Sequence, residues 1–519
     1  MKWQGIAPRK SGIAAVGSAC YSEHPSTEVL CLAYRLPNQE PKLWKPVDGL
    51  PDDLISYVIG GGICEAYNSM FEYLIWNNVC DMLPKLPLSQ LRCTMANSAL
   101  WGLPGKLKDV AQALNLEEQK DSVGTRVMRR LSCPRNPTKT NPALRHTPEN
   151  NPDDFEILYS YCLQDIKTEE AISMRLPPMS GTELDLWFLD QEINLRGVKM
   201  DVDAARVLSN VVDKLRDEAN YAVQQITEIQ GITTDSVEQL TEWVNSKGVP
   251  ISGITKDEVI ETLEQEDLPD DVRDVLKIRQ VTGLSSLSKL NTILYQSNRE
   301  GRLNGLFAYR GARMTGRFAG RGVQPQNLPN AGGVEIDDIV GKKDVSLAEI
   351  SNGLRGLFTA AEGHELICSD FSAIEAVVLA FLSGEQWRMD VFSTHGKIYE
   401  MSVSKISGIP FEEIIEHKKT TGEHHPLRKT VGKVAELASG YQGWIGAWKQ
   451  FGADAFMNDE EIKNAILKWR EDSPMIVNMW SGVESAFIKA VYNPNMWFNY
   501  RDISFHNASG QDILFCRLP

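Results

Sequence analysis

The stretch Glu365–Gly384, ELICSDFSAIEAVVLAFLSG, narrows the possible folds of this chain more than any other. Leu366, Ile367 and Cys368 form a short apolar run that reads as a buried strand ending at Asp370. From Phe371 the pattern turns helical, and Ile374, Val377, Val378, Ala380 and Phe381 fall on one apolar face. A carboxylate at the end of a buried strand is costly unless something pairs with it, and a hard cation such as Mg2+ does so. Glu375 follows inside the helix, near the same corner. The competing reading makes Asp370 a simple helix cap, and this stretch alone does not choose between the two.

At 519 residues the chain has room for three or four domains, or two large ones. Its nine cysteines are scattered and form no CxxC pair, which points to a reducing compartment and away from a disulfide framework or a zinc site. No segment approaches the roughly eighteen apolar residues of a membrane span, and the start MKWQGIAPRKSG lacks a signal-peptide core. The expectation is a cytoplasmic protein, in the host cell if the source is viral. A net charge of −15 disfavours a polyanionic partner for the chain as a whole, but local patches decide binding. Acids crowd Glu183–Asp274, whereas Tyr309–Gly322 carries four arginines and no acid.

Residues 1–180 read as a mixed α/β unit. Glu28–Tyr34 is a strand, Gly60–Tyr67 a turn followed by another, and Ser69–Trp76 a helix. The Pro- and Asn-rich segment 133–153 is a loop, and Phe155–Ile172 is helical. Glu183–Ser297 then reads as long amphipathic helices, opened by Leu184–Leu195, continued by Val202–Gln230 and closed by Val272–Leu294. In Phe307–Asn330, Arg310, Arg313, Arg317 and Arg321 alternate with glycines and aromatics. Glycine allows close backbone approach and guanidinium forks fit phosphate oxygens, while Gln326 and Asn327 offer amides to sugar or base edges. A solvated basic loop is the alternative; the glycine interleaving and the lack of acids favour a nucleic-acid contact.

Beyond the Asp370 stretch, Met389–Glu412 gives short helical pieces broken at Gly408 and Pro410. In His424–Gly443, Lys429, Lys433, Leu437 and Tyr441 stand four apart. On one α-helix each step rises about 6 Å and drifts roughly 40°, giving a slanting stripe. Two lysines, an apolar residue and an aromatic in that order suit a nucleotide read from phosphate to base. An amphipathic helix with solvated lysines is the plainer reading of that segment by itself. His424 and His425 lack further ligands at metal spacing and read as loop residues.

These stretches, in this order, resemble family A DNA polymerases, the DNA polymerase I-like group, and its bacteriophage branch above all. Thr315-Gly316-Arg317 with Gln326-Asn327-Leu328-Pro329 looks like the TGR…QNLP signature. SDFSAIE at 369–375 resembles motif A, and Lys429 through Lys433 to Tyr441 resembles motif B of the fingers helix. The fold class the resemblance implies is α+β. It comprises an RNase H-like α/β exonuclease-type domain at 1–180, a helical thumb at 181–300, and palm and fingers at 301–519 with the palm incomplete.

The chemistry so implied is template-directed transfer of a nucleotide from a dNTP to a primer 3′-hydroxyl between two Mg2+ ions. By position, Asp370 ligates both ions with the carbonyl of Phe371 beside it. Glu375 sits under the sugar and blocks a 2′-hydroxyl. Lys433 holds the triphosphate and protonates the leaving pyrophosphate, assisted by Lys429 and Arg428. Leu437 faces the sugar, Tyr441 shapes the template side, and Arg317 contacts the minor groove with Arg321, Gln326 and Asn327 nearby. The implied partners are primer–template DNA and dNTPs, with no membrane.

Three departures from the family pattern carry expectations. Lys429 stands where arginine is usual, so the bidentate fork is lost and triphosphate binding is weaker; Lys429→Arg is expected to lower the dNTP KM, measured by steady-state primer extension. Leu437 replaces a common aromatic, which alters discrimination at the sugar 3′ position. No His-Asp-Glu triplet occurs, so the resemblance implies a truncated, split or inactive polymerase that needs a C-terminal fragment to extend a primer. The exonuclease motifs show a similar gap: Glu72, Tyr161 and Asp165 match the second and third, but MKWQGIAPRKSGIAAVG contains no acid for the first. A DNA-binding remnant and a stand-alone 3′–5′ exonuclease are the alternatives; Glu375 and TGR…QNLP argue against a single-subunit RNA polymerase.

Overall fold

Long runs without proline or glycine set the character of this chain, and Val202–Thr227 is the longest of its helices. Its 26 residues span roughly 39 Å at 1.5 Å per residue, enough to serve two separate cores. Asp201 caps it, its side chain accepting from the Ala204 N–H at 2.8 Å. Near the capped end Ala205, Leu208 and Val212 pack with Leu290, Ile293, Leu303 and Leu357. At the far end Val223 joins Leu240, Val244, Val272 and Leu276 in a second core. The computed structural model describes residues 12–116, 122–133, 135, 137, 143–329, 335–508 and 513–518. The acid-free first eleven residues and parts of the 133–153 loop lie outside the described residues.

The chain divides into two units, Met1–Leu366 and Ile367–Pro519. Both are helix-rich with small sheets, the mixed α and β content expected. In the first unit the Glu28–Tyr34 strand is confined to Leu32–Tyr34, paired antiparallel with Lys42–Trp44. Cys64–Ala66 pairs in parallel with Leu91–Cys93. The expected helices are present as Ser69–Val79 and Pro152–Arg175. Among the described residues no helix is long and apolar enough to cross a membrane.

The arginine-rich segment is a hairpin rather than a loop. Phe307–Ala312 pairs antiparallel with Arg317–Gly320, with an irregularity between Ala308 and Ala312. Glycine spacing suggested a loop, but here it serves strand packing: a Cβ at Gly311 would lie 2.7 Å from that of Ala319. One face of the Gly181–Arg196 helix holds the first strand in place. Asn194 pairs doubly with Phe307, donating to its carbonyl at 3.0 Å and accepting from its N–H at 2.9 Å. Asp190 accepts from the Tyr309 N–H at 3.3 Å, and Glu183 accepts from Arg310 Nη2 at 2.6 Å.

Glu365–Gly384 departs from two expectations. Leu366–Cys368 forms no strand and is exposed, as is Asp370. Strand-forming residues become a strand only when a neighbour supplies the ladder, and no described residue pairs with these. The helix runs Ile374–Ser383, but Ile374, Val378 and Phe381 are exposed, at 44%, 45% and 72%. Ala376, Ala380 and Ser383 are buried instead. The helix is apolar nearly all round, so periodicity did not single out its packed face. Ala373 in left-handed conformation is the N-cap, so Asp370 does not cap this helix. Three antiparallel strands, Trp497–Tyr500, Ile503–Ala508 and Ile513–Arg517, pack on the Pro474–Tyr492 helix with Ile503–Ala508 in the middle.

Candidate functional site

The segment expected to carry the cationic stripe winds in two ways. Arg428–Gly432 and Ala435–Ser439 are π-helical, joined by α-helical winding at Lys433 and Val434. In an α-helix four residues overshoot a turn by about 40°. A π turn closes one residue later and holds more residues, so four fall short of a turn. The segment therefore departs from a regular α-helical stripe, and Tyr441 follows it in the turn after Gly440. Exposure still singles out these positions. Lys429, Lys433 and Tyr441 are exposed and Leu437 half-buried, while Val431, Gly432, Val434, Ala435, Glu436 and Ala438–Gly440 between them are buried. Gly432 allows the close packing, because a Cβ there would collide with the Tyr399 carbonyl.

Glu436 anchors the hidden side. Its carboxylate is ion-paired with Arg388, each side chain only 1% exposed. It also accepts from Ser402 Oγ at 2.6 Å and Trp469 Nε1 at 2.9 Å. Arg388 in turn donates to Ser473 Oγ at 2.9 Å and lies between the Trp387 and Trp469 rings. A buried ion pair is tolerable only when its remaining valences are met, and here they are.

A cleft of about 640 Å³ opens beside the start of this segment, lined by Asp370, Phe371, Tyr399, Glu400, Lys418 and Arg428 among others. The structure therefore brings Asp370 and Phe371 to one cleft with Arg428. It does not place Lys429, Lys433, Leu437 or Tyr441 on the wall of that cleft. Glu375 is close by: burial raises the Tyr399 phenol, Arg428 opposes this, and the charges of Glu436 and Glu375 add smaller upward pushes. The sequence analysis missed Tyr399, Glu400 and the Lys418-Lys419 pair. The adjacent lysines at the end of the Phe411–Thr421 helix are a signal that was open to reading; Glu400, inside a short helical piece, gave none.

Of the two carboxylates on the cleft wall, Glu400 is already engaged by Arg428. Among the described residues no group of three or more His, Cys, Asp or Glu side chains is arranged to hold a metal. Asp370 with one neighbouring carbonyl falls short of the ligand set for a pair of Mg2+ ions.

In the first unit the hairpin presents Arg313, Arg317 and Arg321, with Gln326 and Asn327 just beyond, all exposed. Arg310 differs: its guanidinium is ion-paired with Glu183 and lies over the Tyr309 ring.

Of the exonuclease-like residues, Glu72 and Asp165 both lie within electrostatic reach of Glu169, whereas Tyr161 belongs to an apolar cluster. Tyr161 is buried, its ring packed where a Cβ on Gly124 would sit. Glu72 is exposed in the first turn of its helix. Although the side chain meets solvent, desolvation by the surrounding protein raises its carboxyl above the ordinary range, with smaller pushes from Glu169 and Cys162. Glu169 is the firmer case. Burial pushes it up to about 7 against a hydrogen bond from Thr94, with Glu65 and Asp165 repelling it. Thr94 Oγ1 lies 3.0 Å from Glu65 and 2.9 Å from Glu169. One hydroxyl has one proton, so both contacts are favourable only when one carboxyl is protonated, and burial favours the proton on Glu169.

A carboxyl raised in the folded state stabilises below its ordinary value, and the gain is lost as pH climbs through about 7. Glu169→Gln is expected to flatten the stability profile between pH 5 and 8 and to add ~1–3 kcal/mol at pH 8. Urea melts across that range check it; an unchanged slope would contradict the assignment.

Residues 205–422 match the family model for DNA polymerase family A. The chain is 36% identical to a DNA polymerase of Bacillus phage SP02, over 97% of this chain and 78% of that protein. It is 31% identical to DNA polymerase I of Treponema pallidum (strain Nichols), over 27% of this chain and 12% of that one. The fold is similar to the POL domain of Pol1 from M. smegmatis in complex with DNA primer-template and dNTP. The TM-score is 0.55 at 15% identity, covering 91% of this chain and 74% of that one.

Proposed function

Because this chain belongs to DNA polymerase family A, we propose that it carries out template-directed transfer of deoxynucleotides to a primer 3′-hydroxyl in DNA replication. The observation that carries the reading is the line of exposed Lys429, Lys433 and Tyr441 with half-buried Leu437 among them, set on a buried face that the Glu436 ion pair fixes. Cations at one end of such a line and an aromatic at the other match a triphosphate and a base. In this reading Lys433 holds the triphosphate and delivers a proton to the departing pyrophosphate, with Lys429 and Arg428 adding charge. Glu375 excludes a ribose 2′-hydroxyl, Leu437 meets the sugar, and Tyr441 borders the templating base. Arg317, Arg321, Gln326 and Asn327 hold the duplex.

Family A polymerases use divalent metal ions; the described carboxylates do not form a two-ion site. We divide the chain as a degenerate exonuclease-type domain at 1–180 with Glu72, Tyr161 and Asp165, a thumb at 181–300, and palm with fingers at 301–519. The setting is the cytoplasm of a host cell. Two observations favour a degenerate domain: the Tyr161 ring is packed against Gly124, and burial raises the Glu169 carboxyl to about 7.

Primer extension with a labelled primer–template, dNTPs and Mg2+ tests the reading, run with and without a fragment bearing the family's His-Asp-Glu motif. Extension in either arm that stops in Asp370→Asn supports it. A chain that binds primer–template yet extends in neither arm is a DNA-binding protein instead.

A further inference from the structure

We infer that Glu400 is a positioning residue for the incoming nucleotide's phosphates, acting through Arg428. The inference rests on the polymerase reading above and names a residue that neither the sequence motifs nor that reading assigns.

Glu400 lies on the Ile398–Ser407 helix, 6% exposed, on the wall of the cleft that also holds Asp370. Its Oε1 accepts from Arg428 Nε at 2.7 Å and lies 3.6 Å from His424 Nδ1. The guanidinium of Arg428 also lies over the ring of Tyr399, 5.1 Å from its centroid. An arginine side chain in water samples many rotamers, and holding one in place costs entropy at the moment of binding. Here a nearly buried carboxylate fixes the Nε edge and an aromatic face fixes the plane before any ligand arrives. Among the described residues the two Nη groups of Arg428 have no partner, and a pair of N–H donors in that fork geometry matches phosphate oxygens. Pre-organisation of this kind raises affinity without adding a contact.

A structural ion pair that merely ties two helices together has the same appearance, so the test must separate the two roles. Binding of dATP to the complex of the full chain with a primer–template presenting thymine is measured for wild type, E400Q, E400D, R428A and the double variant E400Q/R428A. The expected result is about tenfold weaker dATP binding in E400Q, with primer–template affinity and melting temperature near wild type. E400D, which keeps the carboxylate, recovers to within about threefold of wild type. R428A loses at least as much as E400Q, and the double variant is no weaker than R428A alone, because Glu400 acts through that arginine. Unchanged dATP binding in E400Q, additive losses in the double variant, or an E400D as weak as E400Q would overturn the assignment while leaving the polymerase reading intact. A wild-type complex that binds no dATP overturns both.

Discussion

Replacing Glu436 by glutamine is expected to destabilise the Ile367–Pro519 unit by ~3–5 kcal/mol, the largest single-residue effect in this part of the chain. The carboxylate is the counter-charge of Arg388, and both side chains are almost completely withdrawn from water. Glutamine keeps the shape and one acceptor, so Ser402 and Trp469 retain a partner, but the guanidinium is left charged and buried between two indole rings. Unfolding in urea, followed by tryptophan fluorescence, reports on the site directly because Trp387 and Trp469 touch Arg388. Replacing the pair together by Arg388→Met and Glu436→Leu is expected to recover most of the loss, since well-packed apolar substitutes often match a buried ion pair. A loss below about 1 kcal/mol for Glu436→Gln would show that water reaches Arg388 after all.

The second large effect concerns chemistry. Lys433→Ala is expected to slow nucleotide transfer by about 10²–10⁴, the range for removal of a general acid. Lys433 is exposed at the middle of the line, and the buried residues on either side leave it no other direction. Lys433→Arg separates its two roles. Arginine keeps the positive charge but does not give up its proton near neutral pH. The dNTP KM should therefore stay within a few-fold of wild type while kcat falls nearly as far as in the alanine variant. Single-turnover rates, with the complementing fragment present if extension requires it, decide the matter. Equal rates for wild type and Lys433→Arg would remove the proton-donor role and leave only electrostatic binding.

Local patterns recovered the elements whose hydrophobic spacing was unambiguous. Val202–Thr227 and Pro152–Arg175 were legible because their polar and apolar residues segregate at helical spacing. Glu365–Gly384 misled, because an apolar run predicts a strand whether or not a neighbour exists to pair with it, and none of the described residues pairs with Leu366–Cys368. The stripe Lys429, Lys433, Leu437 and Tyr441 was found for a partly mistaken reason. The four-residue spacing predicts a slanting α-helical line, whereas the segment winds as π turns at Arg428–Gly432 and Ala435–Ser439 and ends before Tyr441. Helix winding of that kind leaves no local mark in composition. Glu400, Arg388 and Glu436 were invisible for another reason. Each looks like an ordinary charged residue on a helix, and only tertiary packing makes its partner known.

The most direct test is equilibrium binding of each of the four dNTPs to the complex of this chain with a primer–template of defined first template base. Binding does not depend on completing the reaction, so it isolates the claim that the line Lys429, Lys433, Leu437 and Tyr441 selects a nucleotide under template direction. The account predicts that the complementary dNTP binds at least tenfold more tightly than the other three, and that Lys433→Ala weakens it. Equal affinity for all four, or no binding by any, would contradict it.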